Sequence, residues 1–513
     1  MIQKIVCIGA GFVGGPLGTT FAYQCPEIQV TVVDINKAVV DAWNSESLPL
    51  YEPGLSDVLS SVRQRSNGSI CNNGTSEDMK VESEATSKAY PHTKCNLTFS
   101  TDVETAIQEA EMIMLCIDTP TKKSGLGKGS ALDMTNLEAA VMTIARVAKT
   151  DKIIVEKSTV PCGTASALRE LLDARAGGAC RFEVLSNPEF LSAGTALSDL
   201  LSPSRVLIGC PDTPSGHQAS EELASIYRRW VPDERIILMD SWSSELCKLA
   251  ANAILAQRVS SINSLAAICE ETGADIDFVS QSCGLDQRIN QAMLQPSLGW
   301  GGGCFQKDVL CLAYLARSLG LHQVANYWTS VVEVNEYQKL RFLDRIITHM
   351  HGYVGKKSIA VLGFAFKKNT SDTKNSAAIP LVQGLLAEGA FVSIYDPLVL
   401  PHRILADVNV PGTTMDQLRI APTAYEACAG VEAVVVAIDL DSFGTPTKLA
   451  SQRLRKNNSK LLPYQHRTEP LDWPRIVDGM RGPRYIFDGR NMLDGEYLRG
   501  LGCQYVSVGK QPK

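Results

Sequence analysis

The first fourteen residues constrain the fold more than any other stretch. Lys4 to Ile8 reads as a short apolar strand, Gly9-Ala-Gly11-Phe12-Val13-Gly14 follows without a break, and Pro16 to Tyr23 can open a helix. A glycine run set between strand and helix is the turn that a dinucleotide-binding βαβ unit needs. Gly9 permits the tight turn, Gly11 lets a pyrophosphate come against the backbone and the helix N-terminus, and Gly14 lets helix pack on strand. The next strand, Val30 to Val33, ends at Asp34, twenty residues after Gly14. A carboxylate there accepts from adenosine ribose hydroxyls and repels a 2′-phosphate, so NAD is expected rather than NADP.

The pattern returns near the C-terminus. Ser358 to Gly363 is again a strand reaching glycine, Phe391 to Asp396 a strand ending in aspartate, and Glu432 to Asp439 echoes Glu111 to Asp118. The expected fold class is α/β, with two doubly wound Rossmann-like domains joined by a long central helix. The second turn, Phe364 to Lys374, lacks the later glycines and carries Lys367, Lys368 and Lys374 instead, which suits either a held phosphate or a solvated loop. Between the domains, Trp242 to Thr272 contains neither glycine nor proline. Ser243 is the expected N-cap and Gly273 the expected stop, giving a rod of roughly 45 Å. A second helical stretch, from Asp308 to Leu319 and past Val324, is expected to pack beside it. The boundaries fall at 1–240, 241–345 and 346–513, and the segments 64–96 and 445–468, poor in large apolar residues, read as surface insertions.

Composition excludes several classes. A length of 513 residues implies several domains, and a net charge of −6 argues against nucleic-acid binding. No apolar run reaches the roughly 18 residues of a membrane span, and Met1 to Gly9 lacks the apolar core of a signal peptide. The 15 cysteines are odd in number and form no Cys-x-x-Cys pair, so neither a disulfide framework nor a metal site is expected, and a reduced cytoplasmic setting is. The Asn-x-Ser/Thr triplets at Asn67, Asn73 and Asn96 are then accidental.

Gly299-Trp-Gly-Gly-Gly-Cys-Phe-Gln-Lys-Asp308 combines a glycine track, a thiol and a carboxylate. If Phe305 opens a helix, Cys304 lies at its N-terminus, where unpaired N–H groups favour the thiolate, and Asp308 lies one turn on, on the same face. The residues alone equally suit a glycine-rich turn with a small buried cysteine. Lys248 and Asn252 are four apart, so their polar heads share a helix face.

Taken in order, Gly9 to Gly14, Lys157-Ser158-Thr159-Val-Pro161, Asn187-Pro-Glu189-Phe190-Leu191, Lys248-Leu-Ala-Ala-Asn252, Gly299 to Asp308 and Gly363-Phe-Ala-Phe366-Lys367-Lys368 resemble the UDP-glucose 6-dehydrogenases of the nucleotide-sugar dehydrogenase family. The resemblance covers nearly the whole chain apart from the two insertions. It implies four-electron oxidation of UDP-glucose to UDP-glucuronate with two NAD⁺ and one water, through a Cys304 thiohemiacetal and thioester. It gives Asp308 and Thr159 a water near the reacting alcohol, Glu189 a part in proton handling, and Lys248 and Asn252 the role of oxyanion donors. Thr119, Thr121, Ser158, Thr159 and Lys374 would join Gly9, Gly11, Phe12, Val13, Gly14 and Asp34 around NAD. Glu189, Phe190, Leu191, Lys248, Asn252, Gly299, Trp300, Gly301, Phe366, Lys367 and Arg490 would hold the UDP-sugar. The resemblance makes 1–240 the NAD-binding part, 241–345 a helical dimerisation part and 346–513 the UDP-sugar-binding part. Arg288 would reach a neighbouring subunit's substrate, implying a homo-oligomer, dimer or hexamer. Ser192-Ala193 stands where animal relatives carry Ala-Glu, Lys374 where they carry arginine and Gln295 where they carry lysine; these bear on NAD affinity and on any response to UDP-xylose. Oxidation of GDP-mannose or a UDP-N-acetylhexosamine, or a non-catalytic nucleotide-binding role, remain the alternatives.

Overall fold

The computed structural model describes residues 2–65, 95–178, 180–410, 416–446, 448 and 470–511. Most of the two expected insertions, with Asn67 and Asn73, lies outside the described residues. Their ends need correction. Asn96 is buried, its amide donating to the carbonyls of Ala22, Cys25 and Ile28 at 3.0–3.2 Å, and Thr445 is buried with its hydroxyl accepting from the Asp494 N–H at 2.9 Å. By internal contact the chain divides into two compact units, Met1–Pro120 with Asp133–Lys248, and Thr121–Leu132 with Leu249–Lys513.

The first unit is built on β1 (Lys4–Ile8), β2 (Gln29–Val33), β3 (Leu97–Ser100), β4 (Met112–Leu115), β5 (Lys152–Glu156), β6 (Phe182–Ser186), β7 (Val206–Cys210) and β8 (Ile236–Asp240), in the order β3-β2-β1-β4-β5-β6-β7-β8. The strands from β1 to β6 pair in parallel, β7 pairs with β6 in reverse, and β8 runs with β7. Strands such as Met112-Ile-Met-Leu115 are apolar throughout because helices cover both sheet faces. Ile5 and Cys7 enter one core with Phe21 and Trp43, while Val6 and Ile8 enter the other with Leu172 and Phe182. The order reverses between β1 and β4, which opens the crevice where such sheets bind ligands, at the C-terminal strand ends.

The second unit repeats the design with β9 (Ser358–Leu362), β10 (Phe391–Tyr395), β11 (Leu418–Ile420), β12 (Ala433–Val436), β13 (Tyr485–Asp488) and β14 (Gln504–Ser507), all parallel, in the order β11-β10-β9-β12-β13-β14. The long central helix runs Ser241–Thr272, 32 residues, its first turns belonging to the first unit and the remainder to the second. Ser243 is not its cap. The helix starts two residues earlier, where the Asp240 carboxylate, fixed at the end of β8, accepts the Ser243 N–H at 2.8 Å. Gly273 ends it with φ of 81°, as its sequence position predicts. The second helical stretch is two helices, Gly303–Ser318 and the 28-residue His322–His349, broken at Gly320 with φ of 75°. Ala253, Ala256, Val259, Trp300, Val309, Val331 and Val332 pack these helices together.

Candidate active site

The N-terminal glycine turn has the shape its spacing predicts. Gly9 has φ of 102°, and a Cβ there would lie 2.4 Å from the Cys116 carbonyl oxygen; a Cβ on Gly14 would lie 1.9 Å from the Gly9 oxygen. Around Gly11 there is open space. The helix Gly14–Gln24 begins at Val13 with no side-chain cap and no acidic residue in its first turn, so its N–H groups and positive dipole end are left for an anion. Asp34 accepts the Ala10 N–H at 2.9 Å and the Asn36 N–H at 2.9 Å, which fixes the carboxylate beside the turn. The buried Trp43, which the sequence alone did not single out, supports the turn by donating its indole N–H to the Ala10 carbonyl at 2.7 Å. These residues fit the diphosphate and adenosine ribose of NAD.

The end of β5 fixes a second group in the same unit. Glu156 is wholly buried; burial first, and the neighbouring Glu245 second, push its carboxyl well above the usual range. Glu245, on the long helix, accepts the Gly163 and Ala165 N–H groups, the latter at 2.7 Å. Lys157 pairs with Glu189 at 3.0 Å. The Ser158 hydroxyl accepts the Ile117 N–H at 2.9 Å, and the Thr119 hydroxyl donates to the Thr159 carbonyl at 2.6 Å, so the loops after β4 and β5 hold one another. Phe12 is exposed on the turn, and Leu191 packs against the core beside Phe190. The Phe190 ring has the Arg205 guanidinium 4.0 Å and the buried Lys248 ammonium 5.4 Å from its centre. Thr121 lies in the second unit, bridged to Leu132.

In the second unit the glycine track leads into the helix Gly303–Ser318, whose N-cap is Gly302 and whose first turn holds no acid. Cys304 occupies the second position of that helix and is exposed. It is therefore not a thiol packed in the core. One turn on, Asp308 is fully buried and accepts from the Asn252 amide at 2.6 Å. Gly301 and Gly302 run under Phe366: a Cβ on Gly301 would lie 2.5 Å from the Asn375 carbonyl oxygen, and one on Gly302 2.9 Å from the Phe366 ring. The Gly302 N–H donates to the Lys374 carbonyl at 2.8 Å, while the Lys374 side chain lies over Gly303. The basic loop is thus folded onto the glycine track, with the Lys367 ammonium 5.7 Å from the Phe366 ring centre.

Arg490 follows β13, its guanidinium donating to the Ala437 carbonyl at 2.8 Å; burial lowers its pKa against the pull of Asp439 and Asp488. The preceding Gly489 accepts the Leu298 N–H at 2.9 Å, which ties Arg490 to the start of the track. A Cβ on Gly299 would lie 2.9 Å from the Lys339 side chain. Trp300 is buried, its indole donating to Ser260 at 3.0 Å and its backbone bonded to the Asn335 amide, so its ring is part of the helical core. Arg288 is exposed and paired with Asp286 at 2.7 Å. Among the described residues no cluster suits a metal ion, and no helix is long and apolar enough to cross a membrane.

An open dinucleotide turn in one doubly wound unit, and an exposed helix-terminal thiol beside a basic turn in another, define a nucleotide-binding oxidoreductase with two Rossmann units. Three domain descriptions match the chain: the UDP-glucose/GDP-mannose dehydrogenase family NAD binding domain over residues 3–86 and 76–231, its central domain over 242–337, and its UDP binding domain over 360–462. The UDP-glucose 6-dehydrogenase of Rattus norvegicus is 44% identical over 517 residues, covering 99% of this chain and 94% of that protein. That of Drosophila melanogaster is 44% identical over 515 residues, covering 99% and 97%. A solved UDP-glucose dehydrogenase from the hyperthermophilic archaeon Pyrobaculum islandicum is similar with a TM-score of 0.75 at 25% identity, covering 100% of this chain and 98% of that one. The chain belongs to the UDP-glucose/GDP-mannose dehydrogenase family.

Proposed function

We propose that the protein oxidises UDP-glucose to UDP-glucuronate by the reaction UDP-glucose + 2 NAD⁺ + H₂O → UDP-glucuronate + 2 NADH + 3 H⁺, holding the substrate covalently on Cys304 between the two oxidations. The observation that carries this reading is an exposed thiol at an uncapped helix N-terminus, one turn from the buried Asn252–Asp308 pair. Relatives at 44% identity over nearly full length carry the name UDP-glucose 6-dehydrogenase, which supports the choice of sugar.

NAD would supply the hydride acceptor for each oxidation. Gly9 to Gly14 would hold its diphosphate and Asp34 its ribose, with Thr119, Thr121, Ser158, Thr159 and Lys374 completing the site. Asp308 and Thr159 order a water that takes the alcohol proton. The Cys304 sulfur adds to the aldehyde carbon, and loss of a second hydride from the thiohemiacetal leaves a thioester. Water then attacks the thioester with Glu189 handling its proton, the C–S bond breaks, and the thiolate is released. Lys248 and Asn252 donate to the oxygen that gains negative charge on this path. Phe190, Leu191, the Gly299–Gly301 track, Phe366, Lys367 and Arg490 hold the UDP-sugar, and the cations neutralise its diphosphate.

A reduced, cytoplasmic location is part of this reading, the 15 cysteines being odd in number and without a Cys-x-x-Cys pair. The exposed Arg288, available to a second copy, agrees with a homo-oligomer in which it reaches a neighbouring site. The residue boundaries 1–240, 241–345 and 346–513 then separate NAD binding, dimerisation and UDP-sugar binding. Turnover of UDP-glucose, GDP-mannose and UDP-N-acetylhexosamines, each followed by NADH absorbance, tests the assignment. UDP-glucose is expected to be the preferred substrate; turnover of GDP-mannose with none of UDP-glucose would reject it.

A further inference from the structure

Beside Glu189 the first unit holds a cleft of about 500 Å³ whose lining includes Lys157, Asn187, Phe190, Arg205 and Tyr227. It has room for several waters at roughly 30 Å³ each. Glu189 is 12% exposed and Lys157 5%, and their charged groups meet at 3.0 Å. The same ammonium donates to the Asn187 side-chain oxygen at 3.1 Å, which also accepts the Tyr227 hydroxyl at 2.8 Å. Asn187 is fastened in turn, its amide donating to the Leu207 carbonyl at 2.7 Å and its backbone N–H to the Glu156 carbonyl at 2.9 Å. The other Glu189 oxygen accepts the Phe190 N–H at 2.6 Å, so the carboxylate is held at both ends.

We propose that Lys157 is a positioning residue for thioester hydrolysis, its ammonium, braced by Asn187 and Tyr227, aiming the Glu189 carboxylate at the water it deprotonates. The proposal rests on the reading of the reaction given above. Burial alone would lower the Lys157 pKa, but Glu189 foremost, together with Tyr227 and Cys116, raises it overall, so the lysine stays charged. Burial pushes Tyr227 up to about 12, so it remains a neutral donor at physiological pH. In the step concerned, the water oxygen bonds to the thioester carbon while its proton passes to Glu189. The C–S bond then breaks and its electron pair leaves on the Cys304 sulfur. An ion pair present only to neutralise a buried charge would need neither a cleft of this size beside it nor a hydrogen-bonded chain bracing its cation from behind.

The test mixes full-length enzyme, Lys157→Met and Tyr227→Phe rapidly with UDP-glucose and NAD⁺, following NADH and the intact mass of quenched protein. Lys157→Met is expected to give its first-turnover burst of NADH and then turn over about 100-fold more slowly, with a UDP-glucuronyl adduct accumulating on Cys304. Tyr227→Phe, which keeps the ring and removes one hydrogen bond, should show the same adduct with a turnover loss of about fivefold. A burst that slows in parallel with turnover and without adduct overturns the proposal. So does an unchanged hydrolysis rate; if Lys157→Met does not fold, absence of adduct in Tyr227→Phe overturns it equally. Failure of the underlying reading shows separately, as no NADH from UDP-glucose with the unmodified enzyme.

Discussion

Cys304 and Asp308 stand one turn apart on the helix Gly303–Ser318, yet their surroundings differ: the thiol is exposed at the uncapped end while the carboxylate is buried against Asn252. On the proposed reaction the first reacts and the second holds a polar group in place. Replacing Cys304 by alanine should abolish UDP-glucuronate formation by more than about a thousandfold while leaving NAD affinity unchanged, as product chromatography and calorimetry would show. The glycine track makes a separate demand. A methyl on Gly301 would press on the Asn375 carbonyl at 2.5 Å, so Gly301→Ala should force the basic loop off the track. Overpacking of that kind costs about 1–3 kcal/mol, which corresponds to a rise of about fivefold to a hundredfold in the UDP-sugar Kd with NAD binding unaffected. The thiol and the glycine track stood out in the sequence, but the residues alone also suited a turn around a small buried cysteine, and only the folded chain shows Cys304 exposed and Gly301 against Asn375. The Lys157–Glu189 pair did not stand out: Lys157 appears in the sequence only as part of a motif, and burial, which makes its partner matter, is a property of the folded sheet.

At the end of β5, four consecutive residues are each tied to a different partner, Glu156 through its carbonyl to the Asn187 N–H, Lys157 to Glu189, Ser158 to Ile117 and Thr159 to Thr119. A polar run, Lys157 to Thr159, directly after the strand Lys152–Glu156 at the ligand edge of a doubly wound sheet is the signal that could mark the last three. The Glu156 carboxyl is raised in the folded state, so that state holds its proton more tightly than the unfolded chain, and stability falls as pH rises from the unfolded value of about 4.3 toward the folded one. Glu156→Gln should flatten that decline, which Tm measured from pH 5 to 9 would reveal. At the glycine turn, Asp34→Ala removes a charged acceptor worth about 1.5–3 kcal/mol; NAD affinity should fall tenfold or more, with NADP losing less, as paired titrations would show. The positions of the turn, of Asp34 and of Gly273 followed from backbone chemistry that few other residues can supply. The start of the long helix did not, because Asp240 becomes its cap only once β8 has placed it there.

Two sheets with the same six-strand order, β3-β2-β1-β4-β5-β6 and β11-β10-β9-β12-β13-β14, were legible as paired strand-glycine and strand-aspartate signals. The reversal of β7 and β8 was not, since an apolar strand does not carry its direction in its composition. In the second unit, Glu270 of the long helix is buried between Arg341 and Arg345 of the helix His322–His349 and accepts the Gly509 N–H at 2.5 Å, so one carboxylate fastens two helices to the C-terminal segment. Glu270→Gln strands two buried guanidinium groups and should destabilise that unit by about 3–5 kcal/mol, seen as an earlier unfolding transition by calorimetry. What the assembled protein is held to do with its thiol can be counted. In an assay limited by UDP-glucose, with excess NAD⁺ and a carbonyl-trapping reagent present, retention on Cys304 predicts two NADH per sugar and no trapped aldehyde. One NADH per sugar, with the aldehyde captured in solution, would contradict it.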